Sequence, residues 1–274
     1  MRRVILKIAI YSLLAAFVLT MAGCSDDNST GGGTGTVSQD ILADHNTVAA
    51  FEDIPTAFIN SVKNKFRIFY GHTSHGSQIV SGMALVRSEN IACDYNNGDS
   101  TLYISEYSDD LGFDSDTTWV PITRNRLNLQ PDINAVIWSW CGGVSDNTVE
   151  GINIYLNAMN GLEQDYPGVT FIYMTGHLDG TGVDGNLYAC NNQIRQYCSE
   201  NGKMLFDFAD IESYDPDGTY YPDETDACYW CSDWCAEHDC LDCDACAHSH
   251  CFNCYRKGKA FWWMMARLAG WSAA

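Results

Sequence analysis

Two kinds of hydrophobic pattern alternate along the chain. Short, near-continuous apolar runs lie at residues 66–70, 134–140, 169–174 and 204–208, each closed by glycine or polar residues. Runs of this length and density predict strands buried on both faces. A shorter strand is predicted at 102–104, inside an acidic, Gly-containing stretch, 94–116, that otherwise reads as loop. Between the runs, apolar residues recur at helical spacing. Ile79, Met83 and Val86 share one face of a helix over 77–87. Ile152, Tyr155, Leu156, Met159 and Leu162 line a second, with Ser145 or Asp146 as its cap and Pro167-Gly168 closing the unit. Leu187, Cys190, Ile194 and Cys198 mark a third, ended by Asn201-Gly202, and a last helix over 257–268 carries Trp262, Trp263 and Met265 before Gly270. Residues 48–63 also read as helix, with Pro55 marking a break or a fresh start. Strands alternating with helices predict an α/β domain, a mainly parallel sheet covered on both faces in three α/β/α layers. Chemistry in such sheets gathers beyond the carboxyl ends of the strands. Three ends carry suggestive residues: Ser74, the Cys141-Gly142-Gly143 turn, and His177.

The start of the chain has a different pattern. Arg2, Arg3 and Lys7 precede an apolar run from Ile8 to Met21, and Met21-Ala22-Gly23-Cys24 follows. Residues 1–23 read as a signal peptide. The small residues before a cysteine make it a lipoprotein signal resembling a bacterial lipobox, with Cys24 the lipidated residue; the rival is a plain membrane anchor, for which the run is short. Residues 24–40 then form the lipidated cysteine and a Gly/Ser/Thr-rich tether, and 41–274 the folded domain. Asp26-Asp27 resembles the surface-export signal of some Gram-negative lipoproteins. The expected location is the cell envelope, outside the cytoplasm, at the outer membrane or cell surface.

Charge narrows the partners. Three of the 15 basic residues and none of the 35 acidic ones lie in the leader, so the remainder carries 12 against 35, a net −23. That excludes nucleic acid as a partner and leaves the lipid anchor as the membrane contact. Apart from Cys24 there are 12 cysteines, eight of them between Cys228 and Cys254 in an acidic insertion over 210–254. Outside the cytoplasm an even set reads as disulfides, four in the insertion; the repeated Cys-x-x-Cys spacing keeps zinc open as the alternative. Asp215 and Asp217, in a turn with Asp223, Glu224 and Asp226, read as a solvated acidic turn or a calcium site. The expected cofactor is none.

The stretch KFRIFYGHTSHGSQIVSGM, residues 65–83, organises the candidate chemistry. A strand runs into a tight polar turn and then into a helix near Gly76. Ser74 sits in that turn between His72 and His75, beside the free N–H groups of a helix start. It reads either as a nucleophile or as a simple helix cap. His177, in the sequence TGHLDG, is a substrate-binding residue, a base or a structural histidine. Trp138, Trp140, Trp262 and Trp263 read as core, while Trp230 and Trp234 in the insertion are the better candidates for stacking on sugars.

Tyr70-Gly71-His72-Thr73-Ser74-His75-Gly76-Ser77-Gln78, the Trp138–Gly143 block, Thr175-Gly176-His177, the run FDFADIESYDPDG and the tail from Cys246 to Trp271 resemble a group of bacterial secreted proteins within the SGNH (GDSL-like) hydrolase superfamily. The likeness spans roughly residues 45–271. It implies a flavodoxin-like, SGNH-type α/β/α fold and an ester hydrolase acting on acyl or acetyl groups, with carbohydrate as one carrier. Ser74 takes the place of the nucleophile and His248 that of the base. Ser74, Gly112 and Gly142 are the implied oxyanion donors, and His72, His75, His177 and Trp140 the substrate-binding candidates. The chain departs from the pattern twice. No asparagine follows Gly142-Gly143, and the acid expected three residues before His248 is replaced by Ala245, with Asp244 one step away and Asp242 close by. His250 is a rival base that would point elsewhere in an extended segment. The alternative reading is a non-catalytic glycan- or partner-binding protein on the same scaffold, held by disulfides or a metal.

Overall fold

A computed structural model describes residues 41–244 and 246–272. The signal, Cys24 and the tether lie outside the described residues, as does Ala245. Six strands form one sheet: β1 (Leu42–Ala43), β2 (Arg67–His72), β3 (Tyr103–Ser108), β4 (Ala135–Trp138), β5 (Thr170–Met174) and β6 (Met204–Phe206). Their spatial order is β1-β6-β5-β4-β2-β3 and every pairing is parallel. At the centre, Phe69 of β2 lies between Ser105 of β3 and Val136 of β4. All four residues of β4 are buried, as a strand covered on both faces requires.

The helices are α1 (His45–Ala50), α2 (Thr56–Lys65), α3 (Ser77–Glu89), α4 (Trp119–Leu129), α5 (Val149–Asp165), α6 (Asn186–Glu200), α7 (Phe208–Ser213), α8 (Tyr229–Glu237) and α9 (Cys251–Leu268). Helices α1, α2, α3 and α7 gather around α9, while α5 packs on α4 and α6. Two separate helix groups around one all-parallel sheet are consistent with the expected three layers. No helix among the described residues is long and apolar enough to cross a membrane.

The structure departs from the sequence pattern at its edges. Strand β3 is longer than residues 102–104, and its exposure alternates because it is an edge strand with one wet face. Its polar Ser105, Glu106 and Ser108 therefore disguise it as loop. Helix α4 has no counterpart in the sequence reading: it buries only Trp119, Thr123 and Leu127, and Pro121 sits in its first turn, where the missing N–H is harmless. Pro55 marks a fresh start, preceding α2 directly. The cap of α5 is Thr148, whose hydroxyl accepts from the Gly151 N–H at 3.0 Å, rather than Ser145 or Asp146. The last helix begins at Cys251, six residues before the predicted start, and so takes Cys254 into its first turns.

Helices α3 and α9 touch backbone to backbone. A Cβ at Gly82 would lie 1.7 Å from the Cys254 carbonyl oxygen, and one at Gly258 would lie 2.3 Å from the Gly82 carbonyl carbon. This contact sets how close the helix that follows the His75 turn lies to the helix that follows His248. Gly82→Val and Gly258→Val should each destabilise the fold by about 1–3 kcal/mol, the usual cost of overpacking. Denaturant unfolding of each variant checks this, and wild-type stability in either would show that the helices do not meet there.

Candidate functional site

Apart from the short edge strand β1, the sheet runs β3-β2-β4-β5-β6. The order in which strands are added reverses beside β2, the first strand of this set, so a crevice opens beyond the carboxyl ends of β2 and β4. Three neighbouring strand ends feed it. The turn after β2 supplies His75, Cys141 follows β4, and His177 follows β5. The segment between α7 and α8 supplies Asp226, and the turn before α9 supplies His248.

His75 is at the centre. Its Nε2 lies 2.8 Å from Asp226 Oδ2 and its Nδ1 lies 3.3 Å from Cys141 Sγ. An ionised Asp226 can only accept, so Nε2 carries the proton and Nδ1 accepts from the thiol. The His177 ring stacks on His75 at 3.7 Å, within 1° of parallel, and the His248 ring stacks at 4.6 Å and 15°. His177 places Nε2 2.9 Å from the Cys141 carbonyl and Nδ1 2.8 Å from the Leu178 carbonyl. Burial, opposed by the hydrogen bond to Asp226 and reinforced by the charges of His177 and His248, holds the His75 imidazole below its ordinary pKa of 6.5. Burial acts to raise Asp226, but the hydrogen bond from His75 and the charges of His177, His75 and His248 outweigh it and hold the carboxyl below its ordinary value. Both shifts favour a neutral imidazole beside a carboxylate.

A buried polar frame holds these loops. Lys257 Nζ and Glu212 Oε1 pair at 2.6 Å with both side chains fully excluded from water. Lys257 also donates to Gln78 Oε1, and Gln78 donates through Nε2 to the Ala247 carbonyl at 2.7 Å, beside His248. Glu212 Oε2 accepts from the Leu178 N–H at 2.8 Å, beside His177. Asn253 donates to Ser249 Oγ at 2.9 Å, on the other side of His248. One ion pair thus braces the backbone next to two of the three stacked histidines. Asp226 is set by a short antiparallel contact in which its N–H donates to the Leu178 carbonyl and Gly180 donates to that of Glu224.

The eight cysteines of the insertion lie in four pairs at disulfide distance: Cys228 with Cys231, Cys235 with Cys240, Cys243 with Cys251, and Cys246 with Cys254. Two-by-two pairing fits the disulfide reading rather than sulfurs gathered around an ion. Cys246 opens the tight turn, closed by the Ser249 N–H on the Cys246 carbonyl at 3.2 Å, that carries His248, so its link to Cys254 ties that turn to α9. Not all twelve cysteines pair. Cys93, Cys141, Cys190 and Cys198 are free, and only Cys141 among them is not buried. Burial pushes the Cys93 and Cys198 thiols up to about 12 and raises that of Cys190 as well.

The other candidates fall as follows. Ser74 is half-buried in the turn; its carbonyl accepts from Ser77 Oγ at 2.6 Å, and no imidazole is hydrogen-bonded to its hydroxyl among the described residues. His72 pairs through Nε2 with Glu106 of β3 at 3.0 Å. Gly112 adopts a left-handed φ of 72° and abuts Gly143, but its N–H donates to Asp110 Oδ1 at 2.8 Å. Gly142 is half-buried, with open space where a Cβ would stand. Trp140 is buried and donates to the Met174 carbonyl at 3.0 Å; with Gly142, Val144, Ser145, Gly176, His177 and Leu187 it lines a tight hollow beside the crevice that is too small to admit a water molecule. Asp244 and Asp242 are exposed, and neither bonds to His248. His250 points away, its Nδ1 accepting from the Phe252 N–H at 3.2 Å as the cap of α9. Asp215 accepts from Thr219 N–H at 2.8 Å and Tyr221 hydroxyl at 3.1 Å within its own turn, and Asp217 is exposed. Trp230 is buried, donating to the Glu212 carbonyl, whereas Trp234 stacks on His238 and lines a separate cavity with His45, Asp215 and Arg256. That cavity and another around Tyr188, Arg195 and Tyr214 are roomier than the hollow, but neither contains the clustered histidines, so the chemistry argues for the crevice.

Sequence reasoning gives two members of the cluster no chemical role of their own: Cys141 stands only as part of a suggestive strand-end turn, and Asp226 as one acid among several. The signal available was weak: a cysteine outside the paired set, at a strand end already marked as chemical.

The chain matches no protein-family model and no curated protein. It is similar to a crystal structure of TubZ from Clostridium botulinum phage c-st at 20% identity and a TM-score of 0.32, over 53% of this chain and 52% of that one. The chain thus spans about half the length of that protein, a likeness too slight to bear on fold or function.

Removing one partner of the buried pair leaves a lone charge, which typically costs about 3–5 kcal/mol. Lys257→Met should therefore destabilise the protein by about that much, and Lys257→Met with Glu212→Gln by clearly less. Chemical denaturation measures both, and equal losses would mean that the two charges do not act as a pair.

Proposed function

We propose that the crevice is the active site of an ester hydrolase in which Cys141 is the nucleophile, His75 its base and Asp226 the residue that orients the base. The observation that carries this reading is the hydrogen-bonded row from Cys141 Sγ through both nitrogens of His75 to Asp226 Oδ2. A nucleophile, an imidazole in reach and a carboxylate behind the imidazole make up the arrangement that acyl transfer needs, on whatever fold it occurs. The order of the five main strands and the positions of the turn after β2 and of the tail before α9 support an SGNH-like ancestry for the scaffold.

In this mechanism His75 takes the thiol proton as sulfur attacks the ester carbonyl. The tetrahedral oxyanion faces the turn at Gly142, where the absence of a side chain leaves room for substrate. Collapse breaks the carbon–oxygen bond, and His75 returns the proton to the leaving alcohol. Water, deprotonated by His75, then cleaves the thioester and restores the thiol.

A second reading keeps Ser74 as nucleophile and His248 as base, in an extracytoplasmic serine esterase anchored by lipid at Cys24. It is favoured by the stacking of His248 on His75, the residue next to Ser74.

Hydrolysis of a short-chain chromogenic ester by the full chain tests the choice. Cys141→Ala and His75→Ala should each lower kcat/KM by at least a hundredfold, with Ser74→Ala within a few fold of wild type. Loss in Ser74→Ala alone would transfer the role to the serine. Equal rates in every variant would leave the non-catalytic scaffold. Because the neutral imidazole is the base and its pKa is depressed, activity should hold as pH falls through 6.5 and drop only at more acid pH. Iodoacetamide should modify Cys141 ahead of the buried Cys93, Cys190 and Cys198, read by peptide mass mapping.

A further inference from the structure

His75, Asp226 and His248 have a second property that the relay does not use. One ligand atom from each, an imidazole nitrogen from either histidine and a carboxylate oxygen, all lie within 4.8 Å of one another. We propose that these three side chains form a binding site for one divalent cation of the zinc type, open to solvent on the His248 side.

The donor set selects the metal. Two imidazoles and one carboxylate suit zinc and its first-row neighbours, whereas calcium and magnesium demand oxygen. Zinc bonds of about 2.0–2.1 Å place tetrahedral ligand atoms about 3.3 Å apart. His75 Nε2 and Asp226 Oδ2 already stand 2.8 Å apart, so they need to open only slightly around an ion. His248, whose ligand nitrogen lies within 4.8 Å of the other two ligand atoms, must close in by at most about 1.5 Å to reach that spacing. It is the exposed member of the three, at the tip of a tight turn; because its ring lies stacked parallel to that of His75, it must also turn for both lone pairs to point at one ion.

The backbone supports a site at His248. Its φ is +59°, in the left-handed region that residues with a Cβ seldom adopt. The turn is held there by the Gln78 amide on Ala247, by the Asn253 amide on Ser249 and by Cys246 against Cys254. Positions held in such a conformation by everything around them concentrate at functional sites. The three ligands come from three separate segments, the turn after β2, the insertion and the turn before α9. An exposed His248 leaves a fourth position free for water, the pattern of catalytic rather than structural zinc. The acidic balance of the chain, net −20, draws cations to its surface.

The metal and the relay exclude one another. An ion on His75 Nε2 takes the atom that otherwise donates to Asp226, and the imidazole then cannot act as a mobile base. The cation site rests on the geometry of the three ligands and stands whether or not the chain cleaves esters.

The test is a zinc titration of the oxidised, EDTA-stripped full chain by calorimetry, with metal content measured after dialysis. One zinc per chain is expected, with affinity falling at least tenfold in His248→Gln and in Asp226→Asn. His45→Gln, in the separate Asp44–His45–Asp210 group, should bind as wild type does. Cobalt in place of zinc should give visible bands without thiolate charge transfer. No zinc in the wild type, equal affinity in His248→Gln and wild type, loss in His45→Gln, or strong thiolate bands would each overturn the assignment. In a chain that hydrolyses ester, activity should fall in step with zinc occupancy and return with EDTA. Full activity at full occupancy would remove His75 from the ligand set.

Discussion

A lysine and a glutamate with no access to water hold this molecule's chemistry in register. Lys257 on α9 and Glu212 on α7 are both fully buried, and burial pulls the lysine below its ordinary pKa against the attraction of Glu212. Such a pair contributes little net stability, because the desolvation of two charges offsets their attraction. Its value lies in direction. Lys257 also donates to Gln78 in the first turn of α3, and Glu212 also accepts from the backbone after β5. A hydrophobic pair in the same space would fill it but would leave the Leu178 N–H and the Gln78 side-chain oxygen without these partners. Through them the pair fixes the loops that carry His177 and His248, while the glycine contact between α3 and α9 fixes the spacing of the helices on which the frame rests.

The sheet explains why residues so far apart in sequence meet. Strands β5, β4 and β2 are neighbours and run in the same direction, so the residues that follow them emerge side by side. Cys141 and His177 leave β4 and β5, and His75 leaves β2 across the point where the winding reverses. Two further segments close over the row from above. The cysteine-rich segment brings Asp226, and the turn tied by Cys246 and Cys254 brings His248. This segment therefore has a mechanical role for the crevice: it supplies one carboxylate and holds one imidazole, while Trp230 and the Cys228–Cys231 pair form a small hydrophobic cluster of their own.

Much of the frame is legible in the sequence, for a physical reason. A strand covered on both faces must be apolar throughout, and β2, β4, β5 and β6 show that pattern plainly. Of the elements that escape it, β3, α4 and the two-residue β1 sit at edges or bury narrow faces, while α7 begins at Phe208, inside the apolar run read as strand, and α8 lies in the cysteine-rich segment read without helices. The polar residues of the first three are compatible with solvent on one side. The helix caps were shifted by a few residues because several polar residues in each loop can accept the same N–H, and packing chooses among them.

The site was legible only in part. The turn around Ser74 and His75, the strand end at Cys141 and the lone His177 were marked by their position after buried strands, which local pattern determines. Which side chains in that turn face the crevice was not. His75 turns toward Cys141 and Asp226, and the acid that meets it comes from the insertion rather than from the segment before His248. Local sequence specifies periodicity, chain reversal and where free N–H groups arise, since these depend on neighbours along the chain. The meeting of Cys141, His75, Asp226 and His248 depends on strand order, on a glycine-limited helix contact and on a buried ion pair, contacts between residues as much as 179 positions apart in the case of Lys257 and Gln78.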